Sequence, residues 1–138
     1  MRAGEQVFVD TGAWIALALT RDPMHPRARA TWQQLQGEGV RVSTSVPVVL
    51  ETFTFLDRNA ARLVALAWKE SLQSVSRLKI LPVTLRDLQK AWAYFERPDL
   101  HKLSAVDAVS FVVMAERRIR VAFAFDSHFA TAGFRMVG

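Results

Sequence analysis

Val7-Phe8-Val9-Asp10-Thr11-Gly12-Ala13-Trp14-Ile15-Ala16-Leu17-Ala18-Leu19 is the stretch on which the fold turns. Three β-prone residues end at an aspartate, Thr11-Gly12-Ala13 makes a turn, and the apolar run from Trp14 to Leu19 reads as a helix. The order is therefore strand, turn, helix, with an acid at the strand's carboxyl end. Asp22-Pro23-Met24-His25-Pro26 interrupts the helix, because proline removes a backbone donor and restricts the residue before it. A second helix is expected over Arg27 to Gln36, stopping at Gly37-Glu38-Gly39, and a second strand over Val40 to Thr44.

The alternation continues. Pro47 opens a helix with Val48, Leu50, Phe53, Phe55 and Leu56 at helical spacing, proline being tolerated in a first turn whose N–H groups lack partners. Asn59 to Ser74 reads as another helix and Leu78 to Val83 as a third strand. Thr84 caps a helix through Leu88, Ala91, Trp92 and Phe95 that ends near Pro98. Ser104 caps an apolar helix reaching about Arg118, followed by a strand over Val121 to Phe125, the turn Asp126-Ser127-His128, and a short edge strand over Phe134 to Val137. Strands separated by helices need crossover connections, which build a mainly parallel α/β sheet covered on both faces. In such sheets ligands collect beyond the carboxyl ends of the strands, where Asp10 and Asp126 fall.

Composition narrows the function. A chain of 138 residues, 51% of them hydrophobic, suits a single domain over 1–138. The longest apolar runs, Ala13 to Leu19 and Val109 to Ala115, are far shorter than the roughly 18 to 20 residues that cross a bilayer. Met1-Arg2-Ala3-Gly4-Glu5 lacks a signal peptide's apolar segment, so a cytoplasmic protein without a membrane partner is expected. With no cysteine, a metal must be held by oxygen or imidazole. His25, His101 and His128 show no ligand-like spacing, and His128 reads as a turn or packing residue, which leaves oxygen donors. The net charge of +5 favours a polyanionic partner. No G-x-x-x-x-G-K or G-x-G-x-x-G run is present, so a nucleotide cofactor has no support.

Four acids then stand out, each with an ordinary reading beside the functional one. Asp10 can cap the helix after it. Asp107 completes the capping-box pattern Ser104-Ala105-Val106-Asp107. Asp126 can be a turn aspartate. Glu51 has Pro47, Val48, Thr54 and Phe55 as its helical neighbours, a largely apolar stripe, and a carboxylate buried there needs a cation or donor. Two unit charges 4 Å apart repel by about 1 kcal/mol in water and about 4 kcal/mol at an effective dielectric near 20, so four such groups at one sheet end call for a cation. All-oxygen ligation suits Mg²⁺ or Mn²⁺. Tryptophans at 14, 32, 68 and 92 belong to a core or to a partner surface, and Glu116-Arg117-Arg118-Ile119-Arg120 either contacts RNA backbone or complements a helix dipole.

These segments, Val7-Phe8-Val9-Asp10-Thr11, Val49-Leu50-Glu51-Thr52, Leu103-Ser104-Ala105-Val106-Asp107-Ala108 and Phe125-Asp126-Ser127-His128-Phe129 with Gly133-Phe134, together resemble PIN-domain ribonucleases, above all the VapC-like toxins of type II toxin-antitoxin pairs. The resemblance covers nearly the whole chain. It implies a three-layer α/β/α sandwich on a mainly parallel sheet of four to five strands, Mg²⁺- or Mn²⁺-dependent endonucleolytic hydrolysis of RNA leaving a 5′-phosphate, a homodimer, and a cognate antitoxin. It also implies that Asp10 and Asp107 ligate the metal directly, that Glu51 and Asp126 do so directly or through water, and that the hydroxyls of Thr11 and Ser104 support the acids. Arg86 to His101 carries no alignable motif. The alternative is a non-catalytic RNA- or protein-binding module retaining the same fold. A phosphatase using Asp10 as nucleophile would need a second aspartate two residues on, where this chain has Gly12.

Overall fold

A computed structural model describes residues 4–138; of the N-terminal segment read above, Met1-Arg2-Ala3 lie outside the described residues. Five strands, β1 (Gln6–Val9), β2 (Arg41–Ser45), β3 (Lys79–Leu81), β4 (Val121–Phe123) and β5 (Arg135–Val137), form one sheet in the order β3-β2-β1-β4-β5, every pairing parallel. Val7, Phe8 and Val9 are wholly buried, as a central strand covered on both faces requires.

The helices are α1 (Thr11–Ala18), α2 (His25–Gly37), α3 (Val46–Asn59), α4 (Arg62–Ser71), α5 (Leu85–Ala91), α6 (Ala105–Glu116) and α7 (His128–Thr131), with 3-10 turns at Leu72–Ser74 and Trp92–Glu96. From β1 the chain moves one way to β2 and β3, then returns to the other side of β1 for β4 and β5. Right-handed crossovers therefore put α1 to α4 on one face and α5 to α7 on the other. The packing agrees: α1 lies against α2 and α3, α3 against α4, and α6 against α5 and α7. Three layers result, as the resemblance implies.

The differences from the sequence reading are local. Thr11-Gly12-Ala13 is the first turn of α1, not a separate turn. Pro26 sits in the first turn of α2, so that helix starts at His25 instead of Arg27. The helix expected over Asn59 to Ser74 begins at Arg62, because α3 runs on to Asn59 and the chain bends at Ala60-Ala61. The third and fourth strands each have three residues.

On the α5–α7 face, Phe111 meets Phe129 edge-on at 5.0 Å, Tyr94 at 5.2 Å and Phe134 at 5.7 Å. On the other face Trp14 packs against Trp32 and Trp68. Trp14 and Trp68 are core residues, whereas Trp92 is 52% exposed. Buried polar groups tie this core to the end of β1: the Trp14 indole N–H donates to Thr44 Oγ1 (3.1 Å), and Thr44 donates to the Val9 carbonyl (2.9 Å). The residue after Val9 is Asp10.

Candidate active site

β1 and β4 flank the point where the chain's direction of travel across the sheet reverses, and crevices of this kind open at the strands' carboxyl ends. The Asp10 N–H donates to the Phe123 carbonyl at 3.0 Å, which locks the first acid beside the end of β4. Asp10 occupies the N-cap of α1, yet its side chain makes no capping hydrogen bond, and Oδ1 is buried without any partner. Thr11 Oγ1 is buried and unpartnered as well. Capping therefore leaves at least one Asp10 oxygen unaccounted for. Burial pushes its carboxyl up to about 7; the N–H groups of Thr11 and Gly12 draw it part of the way back, while the charges of Glu51 and Asp126 raise it.

Asp107 lies in the first turn of α6, whose cap Ser104 accepts the Asp107 N–H at 3.0 Å. That is half of a capping box. The full reciprocal version is found at Thr84 and Asp87, where Thr84 caps α5 as the sequence predicts. The Asp107 carboxyl turns to Asp126. It is pushed up to about 8, chiefly by burial, then by the charge of Asp10, the contact with Asp126, and the charges of Asp126 and Glu51. For Asp126, partial burial is the largest influence and acts upward. The His128 N–H, the Asp107 carboxyl and the His128 ring outweigh it and hold the group below its ordinary value.

Glu51 joins the cluster by its field on Asp10 and Asp107, but the argument that placed it there fails. Glu51 is exposed; the buried stripe of α3 is Val48, Thr52 and Leu56. Its apolar neighbours Leu50 and Phe55 are themselves 62% and 39% exposed, so the apolar pattern marks a surface and not a core.

His128 was read as a turn or packing residue, and the structure places it within the cluster. One donor atom from each of Asp107, Asp126 and His128 lies within 4.8 Å of the others. The signal in sequence is Asp126-Ser127-His128, since two donor side chains separated by one residue can face one point across a tight turn. The His128 N–H closes that turn by donating to Asp126 Oδ1 at 2.9 Å.

The basic segment lies elsewhere. Arg118 and Arg120, with Arg41, Arg135, Gly4 and Glu5, line a cleft of about 570 Å³ at the amino ends of the strands. Four residues of β1 separate that end from the acids, roughly 13 Å at about 3.3 Å per residue. Those arginines do not hold a phosphate against the carboxylates.

A family model described as PIN domain matches residues 7–135. The chain is 35% identical over 128 residues to the 23S rRNA-specific endonuclease VapC20 of Mycobacterium tuberculosis, covering 93% of this chain and 95% of that protein. The crystal structure of M. tuberculosis VapC20, titled a Sarcin-Ricin loop cleaving toxin, superposes with a TM-score of 0.81 at 34% identity, over 93% of this chain and 95% of that one. FitAcB from Neisseria gonorrhoeae shares the fold, with a TM-score of 0.68 at 16% identity and 96% coverage of both chains.

Proposed function

The chain belongs to the PIN domain family, and on that premise we propose that it is a single-domain, metal-dependent endoribonuclease, the toxin of a toxin-antitoxin pair. One observation carries the reading. Four segments deliver Asp10, Glu51, Asp107 and Asp126 to one end of a parallel sheet, where the innermost carboxylate is buried with an unpartnered oxygen. Such an arrangement costs stability unless a cation neutralises it.

The donor set fits a divalent ion, Mg²⁺ or Mn²⁺. Asp10 and Asp107 would hold it directly, with Glu51 and Asp126 completing the site directly or through water. When bound, the ion supplies Lewis acidity, lowering the pKa of an attacking water and stabilising charge on the phosphodiester. Glu51, which is exposed, or Asp126, held below its ordinary value by its neighbours, would accept the proton of the attacking water. Ser104 supports Asp107 through its backbone rather than its carboxylate, while the Thr11 hydroxyl, buried beside Asp10, makes no hydrogen bond.

A 35% identity to a ribosomal-RNA endonuclease over most of both chains supports a structured RNA as substrate. A homodimer is supported by exposed Val46 and Leu50 at the start of α3 and Leu85 at the start of α5, helices that leave adjacent strands at the acidic end, with Trp92 and Phe95 beyond. An open groove of about 730 Å³ lined by Trp14, Leu17, Trp32, Val64, Trp68 and Val75 suits an apolar segment of an antitoxin. Among the described residues no helix is long and apolar enough to span a membrane, which accords with a cytoplasmic site of action.

The test is cleavage of a sarcin-ricin hairpin and of an unrelated RNA by the purified protein with Mg²⁺ or Mn²⁺. Discrete cuts that vanish in excess chelator and in Asp10→Asn are expected. Cleavage unchanged by either treatment would refute the proposal.

A further inference from the structure

We propose that His128 is a nitrogen ligand of this cation site, sharing the ion with Asp107 and Asp126, and that the site in consequence prefers Mn²⁺ to Mg²⁺. The inference rests on the reading that the acids hold a divalent ion, and goes beyond it by naming a donor of different chemistry.

The tautomer comes first. His128 Nε2 lies 2.6 Å from the His101 carbonyl oxygen. A carbonyl can only accept, so Nε2 carries the hydrogen, and in the neutral ring Nδ1 presents a lone pair. Nδ1 is shielded from solvent and has no hydrogen-bond partner. Asp126 Oδ1 is only 2.9 Å away but off the line an N–H···O bond requires, and that oxygen already accepts the His128 N–H. A proton on Nδ1 would therefore not be directed at the carboxylate. A His128 ring nitrogen lies within 4.8 Å of a carboxylate oxygen of Asp107 as well as of Asp126.

The spacing suits an ion. Donors on opposite sides of a divalent ion, each at about 2.1 Å, lie roughly 4.2 Å apart. Only one pair of the three can be so opposed; neighbouring donors at that bond length lie about 3.0 Å apart, close to the 2.9 Å between His128 Nδ1 and Asp126 Oδ1, and all three donor atoms lie within 4.8 Å of one another. The outer contact fits too, because a metal-bound imidazole ordinarily donates its second N–H to a backbone carbonyl or carboxylate, which fixes ring and tautomer. His101 does this for His128 from the loop before α6. Packing alone would not need that carbonyl, nor leave Nδ1 bare among carboxylates.

Selectivity then follows from donor type. Mg²⁺ demands oxygen donors and near-octahedral geometry, whereas imidazole suits transition ions. The experiment is pulsed electron paramagnetic resonance of the full chain loaded with Mn²⁺, with and without ¹⁵N-histidine labelling, alongside calorimetric titration of Mn²⁺ and Mg²⁺. A ¹⁴N coupling is expected that changes on labelling and is absent from His128→Ala. Loss of the imidazole should weaken Mn²⁺ binding by roughly 10- to 100-fold while moving Mg²⁺ less. His128→Asp, which restores an oxygen donor, should recover Mg²⁺ binding preferentially. Tight Mn²⁺ binding to the wild type without nitrogen coupling overturns the proposal but leaves the cation reading intact. No Mn²⁺ binding at all overturns both. The wild-type spectrum does not depend on the variants folding.

Discussion

Replacing Asp10 by asparagine should make the metal-free protein more stable while abolishing its activity. Asp10 is 5% exposed, with its carboxyl pushed up to about 7 from an ordinary 3.8. Between those values the folded state keeps a proton that the unfolded chain has released, so stability falls as pH rises through this window. At 1.36 kcal/mol per pH unit, three units give about 4 kcal/mol. Asp107 shares the repulsion, so on the order of 3 kcal/mol is assigned to Asp10, about 10 °C in Tm for a chain of this size. Asparagine is isosteric and carries no titrating proton. The variant and the wild type should therefore be alike near about pH 4, diverge through pH 7, and reach a constant difference above about pH 8, where Asp107 has also ionised. Urea unfolding followed by circular dichroism in excess chelator measures this, and subtracting the two curves cancels the titrating groups that do not feel the charge of Asp10. Mn²⁺ should stabilise the wild type by mass action and the variant far less. A variant less stable than the wild type at about pH 8, or a difference that shrinks as pH rises, would refute the reasoning.

Three further outcomes are expected. Arg118 holds φ at 55°, a left-handed conformation just past the end of α6 that glycine adopts without strain, so Arg118→Gly should raise stability by about 0.5–1 kcal/mol in a thermal melt. The combined Arg118→Ala and Arg120→Ala variant should leave kcat/KM on a short RNA within about threefold of wild type, because both residues lie at the opposite end of the sheet; a loss of tenfold or more would contradict that separation. Leu50→Asp, on an exposed apolar position, should give monomers in sedimentation where the wild type dimerises, and an unchanged mass would exclude this face from the interface.

The alternation of short β-prone runs with helical ones was enough to reach a parallel α/β sheet, because crossover connections leave few other arrangements for such an order. Boundaries were less legible. Proline at 26 was read as a breaker when it also fits a first turn, and Ala60-Ala61 gives no local sign that the chain bends there. Periodicity also misplaced Glu51, since an apolar stripe looks the same whether it faces a core or bare surface. His128 reads as a turn or packing residue for a different reason. Its ring is oriented by a carbonyl from His101, a contact across 27 residues that no local pattern records. The tie from Trp14 through Thr44 to Val9 was hidden in the same way, being a pairing between neighbouring strands.

The crevice between β1 and β4 has a kinetic consequence. It is the seam joining Val9 to Phe123, strands far apart in sequence, and closing so long a loop costs conformational entropy before any contact repays it. Asp10 lies on this seam, so a chain with α1 to α4 already packed on β1 to β3 still has no complete site, since Asp107 and Asp126 arrive with α6 and the end of β4. Refolding followed by metal binding should therefore lag behind the recovery of helical signal, with chemical competence appearing only as the last crossover docks.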